Sequence, residues 1–307
     1  MLLISDEKTL SREIDSLRKS GKLINFIPTM GNLHLGHSSL FKKSENTKEI
    51  RVVSIFVNPL QFNDNKDFDN YPRTIESDKK KLLAEGVDVL FLPDAQIINV
   101  VKFAFRLGHI ARKLCGVDRS NHFEGVAKII LKFLHIIKPD SITLGEKDYQ
   151  QLLVIKKIIK DLEFKTEVRS YPTVRNKEGI ALSSRNKLLG KKIFLAKYIP
   201  TVLKQINQEI IEGNFALHRL NYFKDFLEKS GIDRVHYLEI LNEKNLARLT
   251  EVPCISRIFI AISINGVRLI DNMRIEYKLA CSSNWLLIIK DINFWDKYEL
   301  LQPERKC

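Results

Sequence analysis

In the first half of the chain, short apolar runs alternate with charged stretches whose apolar positions repeat at helical spacing. Runs over residues 22–27 (KLINFI), 51–57 (RVVSIFV), 88–92 (DVLFL) and 141–144 (SITL) are each closed by turn formers: Pro28, Asn58 with Pro59, Pro93 and Gly145. Residues 166–170 (TEVRS) are expected to form a fifth strand. Runs of this length with this punctuation read as strands, and their near-continuous apolar character suits strands buried on both faces. Between them, residues 73–85 and 125–137 carry helix formers with apolar side chains three and four apart. The alternation predicts an α/β fold, a Rossmann-like doubly wound parallel sheet.

The pattern changes after residue 186. Helical stretches over 193–211 and 217–230 lead into strand-like runs at 235–240, 258–264 and 267–270, the last two joined across Asn265 and Gly266. An Asn-Gly pair between apolar runs is a hairpin signal. The expected organisation is a catalytic domain over 1–186, a smaller α+β domain over 187–281, and a C-terminal extension over 282–307. The extension carries both tryptophans, Trp285 and Trp295, and reads as a structural segment packed on the body.

Composition narrows the class. The 307 residues are 44% hydrophobic and 28% charged, enough for a substantial core. No apolar run approaches bilayer length and no basic-then-apolar leader opens the chain, so a soluble, cytoplasmic protein without a membrane partner is expected. Cys115, Cys254, Cys281 and Cys307 form no CxxC pair, which suits reduced thiols rather than a zinc or redox site. The net charge of +13 raises a nucleic-acid partner or an attraction for anionic substrates. The basic residues are spread along the chain, which disfavours nucleic acid.

The densest chemistry lies at the end of the first predicted strand, in PTMGNLHLGH (28–37). Gly31 and Gly36 let the backbone turn close to a ligand, and an opening helix would offer free N–H groups to phosphates. His34 and His37, three apart, can face one ligand and donate to phosphate oxygens as charge builds in transfer at phosphorus. No third ligand stands at a metal-site spacing, so no protein-held metal is expected. FVNPLQF (56–62) ends a second strand with Gln61, a donor and acceptor for hydroxyls and a carboxylate, and with Asn58 beside it. GEKDYQQL (145–152) puts Lys147, Asp148 and Gln151 at the same sheet edge, where Lys147 can place charge on phosphates, Asp148 can accept from ribose hydroxyls and Gln151 can offer a second polar face. By itself, Lys147 next to Asp148 would pass for a solvated surface pair. LSSRN (182–186) gathers Ser183, Ser184 and Arg185, suited to the β- and γ-phosphates or to a helix cap.

The HxGH string resembles the HIGH signature of the nucleotidyltransferases that include class I aminoacyl-tRNA synthetases. The longer segment is similar to the PTMGALHEGH of the pantothenate synthetase (pantoate–β-alanine ligase) family. FVNPLQF, YPRT (71–74), HFEGV (122–126), GEKDYQQL, LSSRN and RLIDN (268–272) follow in family order over residues 20–275.

The resemblance implies ATP-dependent condensation of (R)-pantoate with β-alanine in a homodimer, through a pantoyl adenylate, releasing pyrophosphate and then AMP. It assigns His34, His37, Lys147 and Arg185 to catalysis, His37 as a proton donor. ATP falls to Met30, Gly31, Asn32, Leu33, His34, Leu35, Gly36 and His37, to Gly145, Glu146, Lys147 and Asp148, to Val174 against adenine, and to Leu182, Ser183, Ser184 and Arg185. Pantoate falls to Gln61, Gln151 and Asn58, with β-alanine also near Gln61. ATP is a substrate, and Mg²⁺ rides mainly on its phosphates.

The chain departs from the family pattern at Asn32, Leu35, Lys128 and Leu182, and where Arg119-Ser120-Asn121 replaces Arg-Pro-Gly, a change that threatens the loop over the site. Three other readings compete: a related nucleotidyltransferase acting on a phosphorylated acceptor, a nucleic-acid binder, and an inactive relative. The paired glutamines, Gln61 and Gln151, favour a hydroxylated carboxylate substrate over the first.

Overall fold

The computed structural model describes residues 1–42, 47–98, 104–249 and 255–275. The extension 282–307, with its tryptophans, lies outside them, as do Cys254, Cys281 and Cys307. In chain order the elements are β1 (Leu2–Ile4), α1 (Glu7–Lys19), β2 (Leu23–Thr29), α2 (Leu35–Ser38), β3 (Glu49–Ile55), α3 (Asn65–Asp69), α4 (Ile75–Ala84) and β4 (Val89–Phe91). Next come α5 (Cys115–Asp118), α6 (His122–Ile137), β5 (Ser141–Gly145), α7 (Tyr149–Asp161) and β6 (Glu167–Tyr171). The second part holds α8 (Tyr198–Ile211), α9 (Arg219–Lys229), β7 (Arg234–Asn242), β8 (Ser256–Ile264) and β9 (Val267–Arg274). Among the described residues, no helix is long and apolar enough to cross a membrane.

The first sheet runs β1-β4-β3-β2-β5-β6 with every pair parallel. From β2 the chain winds outward through β3 and β4, then returns to place β5 on the other side of β2. The direction in which successive strands are added reverses between β2 and β5, which stay parallel, the point where open α/β sheets bind ligands at the carboxyl ends of their strands. Neighbouring residues divide between two cores, as doubly wound sheets require. Phe26, Val52, Phe91 and Ile142 join one core with Leu10 of α1, Phe133 of α6 and Ile155 of α7. Ile27, Val53 and Leu90 join the other with Leu82 of α4 and Phe41. Phe133 sits edge-on to Phe26, Phe91 and Phe56, with centroids 5.5, 5.8 and 6.4 Å apart. Each such burial contributes roughly 1.5–3 kcal/mol.

β1, α1, α3, α5 and α7 lie outside the sequence expectation. β1 is too short to register as an apolar run. α1 carries Leu10, Ile14 and Leu17 at i, i+4 and i+7, and Asp6 caps it by accepting from the Thr9 N–H at 2.8 Å. Arg18 near its end donates to the carbonyl oxygens of Ile137 and Lys138, satisfying the last turn of α6.

The second sheet is antiparallel in the order β7-β8-β9. Asn265 and Gly266 make its hairpin turn with φ of 50° and 74°, the left-handed values that a type I′ turn needs. Leu238, Ile240, Ile258, Ile260 and Ile262 face α8 and α9 in a core that runs from Ile180 to Ile275. Tyr237, Leu241, Phe259 and Ala261 face the opposite way and join the first core. The stretch expected to be helical over 193–211 is α-helical only from Tyr198. Residues Asn186–Lys197 form 3₁₀ turns broken at Gly190. β9 continues past Ile270 to Arg274, carrying buried polar residues that an apolar-run criterion does not recognise as strand.

Candidate active site

The carboxyl ends of β2 and β5 open into a cavity of about 780 Å³, within the roughly 300–1,000 Å³ of small-molecule sites. It is lined by Met30, His34, Gly36, His37, Asn58, Gln61, Gly145, Lys147, Asp148, Gln151, Val174, Leu182, Ser183, Ser184 and Arg185. Five separate stretches of sequence, around residues 30–37, 58–61, 145–151, 174 and 182–185, therefore meet at one place. Gly31, Asn32, Leu33, Leu35 and Glu146 do not line it, against expectation. Leu33 is buried in the core beside α4, Leu35 is exposed to solvent, and Glu146 turns towards Ser170 and Arg257.

The loop after β2 is shaped by an acid that the sequence reading missed. Asp78, fully buried on α4, accepts from the backbone N–H groups of Asn32 and Leu33 at 2.8 Å each and from the Thr74 hydroxyl at 3.0 Å. Gly31 has φ 79°, and a Cβ there would stand 2.9 Å from Ile55 and 3.1 Å from Asp78. Asn32, where the family has a small residue, takes φ 47°, a region Asn tolerates better than most side chains. Its amide donates to the Ser184 carbonyl at 3.4 Å while Ser184 Oγ donates back to the Asn32 carbonyl at 3.2 Å, tying the first loop to LSSRN.

The helix expected after the loop is a single turn, α2, so its dipole adds little and the side chains dominate. His34 caps the turn, its Nδ1 accepting from the Gly36 N–H at 3.1 Å, and the His34 N–H donates to His37 Nδ1 at 3.3 Å. The ring centroids stand 4.2 Å apart. Burial first, then the Lys147 and Lys81 charges, lowers the His34 pKa to about 4. Burial first, then His34, Lys147 and Lys81, lowers that of His37 to about 3. Both rings are neutral at pH 7, and with Nδ1 accepting, each carries its proton on Nε2. A Cβ on Gly36 would lie 2.8 Å from the His34 ring, so this glycine is needed for the packing of the pair.

Gln61 ends a 3₁₀ turn, Pro59–Gln61, capped by Asn58. Asn58 commits both amide hydrogens, to Gln61 Oε1 at 3.1 Å and to the Gly125 carbonyl at 3.0 Å, so it orients Gln61 rather than offering donors to a ligand. Gly125 of α6 allows this approach: a Cβ there would meet the Leu60 carbonyl oxygen at 2.1 Å. The Gln61 carbonyl accepts from His122 Nδ1 at 2.6 Å and from Arg119 at 3.2 Å. Burial and the Arg119 charge lower the His122 pKa to about 4. Asn121 stands where the family has Gly and adopts φ 62°, ψ 1°. The altered Arg119–Asn121 loop thus keeps a left-handed turn, and Arg119 and His122 still converge on Gln61.

Elsewhere on the cavity wall, Lys147 Nζ lies 3.8 Å from Asp148. Arg185 is paired with Asp67 of α3 at 3.1 Å and lies 5.6 Å from the Tyr71 ring centre. Burial raises the Tyr71 pKa, partly offset by its hydrogen bond with Ser184 and the Arg185 charge. Asp67, Asp78, Arg119 and His122 are site residues that the motif reading did not single out. His122 and Arg119 flank a recognised motif and were within its reach. Asp67 and Asp78 look like ordinary first-turn helix acids. Among the described residues, no group of three or more His, Cys, Asp or Glu is placed to hold a metal ion.

Comparison with known proteins agrees with this geometry. The family model described as pantoate-beta-alanine ligase matches residues 2–274. Pantothenate synthetase of Carboxydothermus hydrogenoformans is 36% identical over 281 residues, covering 90% of this chain and 99% of that protein. That of Thermodesulfovibrio yellowstonii is 39% identical over 272 residues, covering 87% and 97%. A crystal structure of pantoate-beta-alanine ligase from Thermus thermophilus superposes with a TM-score of 0.80 at 33% identity, covering 91% of this chain and all of that one. The enzyme from Francisella tularensis, described as complexed with beta-gamma ATP and β-alanine, gives a TM-score of 0.76 at 36% identity over 91% and 99% of the two chains.

Proposed function

The chain belongs to the pantoate–β-alanine ligase family, and we propose that its cavity joins (R)-pantoate to β-alanine through a pantoyl adenylate at the expense of ATP. One observation carries this reading. The two imidazoles, tilted against each other with centroids 4.2 Å apart, share a single cavity with Lys147, Ser183, Ser184, Arg185 and the two glutamines, Gln61 and Gln151. The Francisella tularensis relative supports ATP and β-alanine as ligands of such a cavity.

In the first step a pantoate carboxylate oxygen attacks the α-phosphorus and the bond to the bridging oxygen breaks, releasing pyrophosphate. Gln61 and Gln151 hold the hydroxyls and carboxylate of pantoate in line, and Asn58 orients Gln61. Holding two anions at attack distance is a large part of the catalysis, and it needs their charge neutralised. Lys147 and Arg185 supply positive charge, with Arg185 exchanging Asp67 for phosphate oxygens. His34 and His37 donate from Nε2 to oxygens of the transferring phosphoryl group, where hydrogen bonds strengthen as charge develops.

In the second step the β-alanine amine, having lost its ammonium proton, attacks the acyl carbon, the acyl–oxygen bond breaks so that AMP leaves with the oxygen taken from pantoate, and the nitrogen gives up a second proton to water. Asp64, Asp67, Asp148 and Asp271 line the cavity without forming a group of three metal-ligating side chains among the described residues, which suits a cation that keeps its waters and leans on phosphate oxygens. Mg²⁺ is assigned to the ATP phosphates, where it would neutralise charge. The proposal extends to a cytoplasmic homodimer, on the strength of the resemblance.

The adenylate makes a specific prediction for isotope transfer. Pantoate labelled with ¹⁸O in its carboxylate should pass one labelled oxygen to the phosphate of AMP. Unlabelled AMP would mean that no acyl adenylate forms.

A further inference from the structure

The RLIDN segment ends in two buried polar residues, Asp271 and Asn272, each 3% exposed on β9 and without a role in the chemistry above. Burying an amide or carboxylate is costly unless its hydrogen bonds are made, so the partners indicate the role. Asn272 Nδ2 donates to the carbonyl oxygens of both Glu146 and Lys147, each at 2.9 Å. Its Oδ1 accepts from Arg257 at 2.6 Å, and the Arg257 guanidinium lies 3.7 Å from the ring centre of Tyr149, the first residue of α7. Asp271 receives both arms of Arg175, at 2.6 and 2.9 Å. Arg175 follows Val174 in the chain and donates also to the Gly179 and Asn272 carbonyls at 3.0 and 3.2 Å. Asn272 pairs with Phe259, whose side chain faces the first sheet, and Asp271 with Ile260, which faces the other way. Consecutive residues of one edge strand in the second sheet thus hold two separate loops of the first.

We propose that Asn272 and Asp271 are positioning residues for ATP: Asn272 fixes the backbone that carries Lys147, and Asp271 fixes the segment of Val174, so docking of the second sheet completes the nucleotide site. This inference rests on the ligase reading. It differs from a general packing role because the bonds end on the two cavity segments assigned to ATP and not on Gln61 or Gln151. Loss of Asn272 should therefore weaken ATP and spare pantoate.

The test is calorimetric titration of the full chain with ATP, alongside KM values for ATP and pantoate, for Asn272→Ala, Asn272→Asp, Asp271→Asn and the control Arg274→Ala. Arg274 is on the same strand with its side chain exposed. The expected result is ATP binding about tenfold weaker for Asn272→Ala and weaker again for Asn272→Asp, whose carboxylate faces two carbonyl oxygens while keeping the Arg257 contact. Asp271→Asn should weaken ATP as well, with the pantoate KM at saturating ATP unchanged in all variants and Arg274→Ala like the parent chain. A merely structural role would lower the binding-competent fraction without changing Kd. Unchanged ATP affinity in folded Asn272→Ala or Asn272→Asp, or an equal rise in both KM values, overturns the proposal and leaves the ligase reading standing. A parent chain that binds ATP without turnover overturns the ligase reading, and the titrations still decide this one. A parent chain that does not bind ATP overturns both.

Discussion

Leu33 donates its backbone N–H to Oδ1 of Asp78 at 2.8 Å, across 45 residues of sequence. The same carboxylate holds Asn32 through its other oxygen, so the turn that presents His34 and His37 is fixed from α4. Asp78→Ala leaves two buried N–H groups unpaired, which should cost roughly 2–4 kcal/mol and lower ATP affinity through the displaced histidines. Urea unfolding with ATP titration checks both effects. A stable Asp78→Ala variant with normal ATP affinity would show that the loop holds itself.

Asn121 tests whether the departure from the family loop matters. Its φ of 62° is natural for Gly and tolerable for Asn, so Asn121→Gly should leave activity and stability near those of the parent chain. Asn121→Val should cost about 1–2 kcal/mol and raise the pantoate KM, because Arg119 and His122 reach the Gln61 carbonyl from either side of it. Equal behaviour of the two variants in thermal melts and KM measurements would contradict this.

Gly125→Ala drives a Cβ into the Leu60 carbonyl oxygen, 2.1 Å away. Either α6 or the 59–61 turn must shift, at roughly 1–3 kcal/mol, and Gln61 moves with it. The expected kinetic result is a higher KM for pantoate with little change for ATP, the reverse of the Asn272 pattern. A selective loss of ATP affinity would show that the two ends of the cavity are assigned the wrong way round.

Acid should destabilise the protein over a defined window. Burial lowers His34, His37 and His122 to about 4, 3 and 4, whereas in the unfolded chain they titrate near an ordinary value of about 6.5. Their contribution is fully present above about 6.5, and between there and about 4 the unfolded state binds more protons, so stability falls as pH is lowered. Melting temperature should drop between pH 7 and pH 4.5, less steeply in a His34→Gln, His37→Gln double variant. Parallel curves for the two proteins would mean that these imidazoles do not titrate as buried groups.

Strands β2 to β5 were legible because each is a short apolar run with a turn former after it, and much of the site because three motifs, PTMGNLHLGH, FVNPLQF and GEKDYQQL, end such runs. Asp78 and Asp67 were not legible. An acid in the first turn of a short helix is the commonest of surface features, and only the fold reveals that Asp78 is buried under the loop after β2. Asp271 and Asn272 were quoted within a motif, yet their polarity argued for a strand that stopped at Ile270. Their partners, Arg175 and Lys147, lie about a hundred residues away, a pairing that no local pattern encodes. The changes at Asn32 and Asn121 looked like losses of small or flexible residues, and the structure shows both asparagines in left-handed backbone conformations that Asn can supply.

The most direct test of the account is product formation by the purified chain with ATP and Mg²⁺, adding (R)-pantoate and β-alanine separately and together. The account predicts AMP and pantothenate in equal amounts only when both are present, with turnover lost in His37→Ala and Lys147→Ala. AMP release that ignores either substrate, or no pantothenate from a chain that binds ATP, would contradict it.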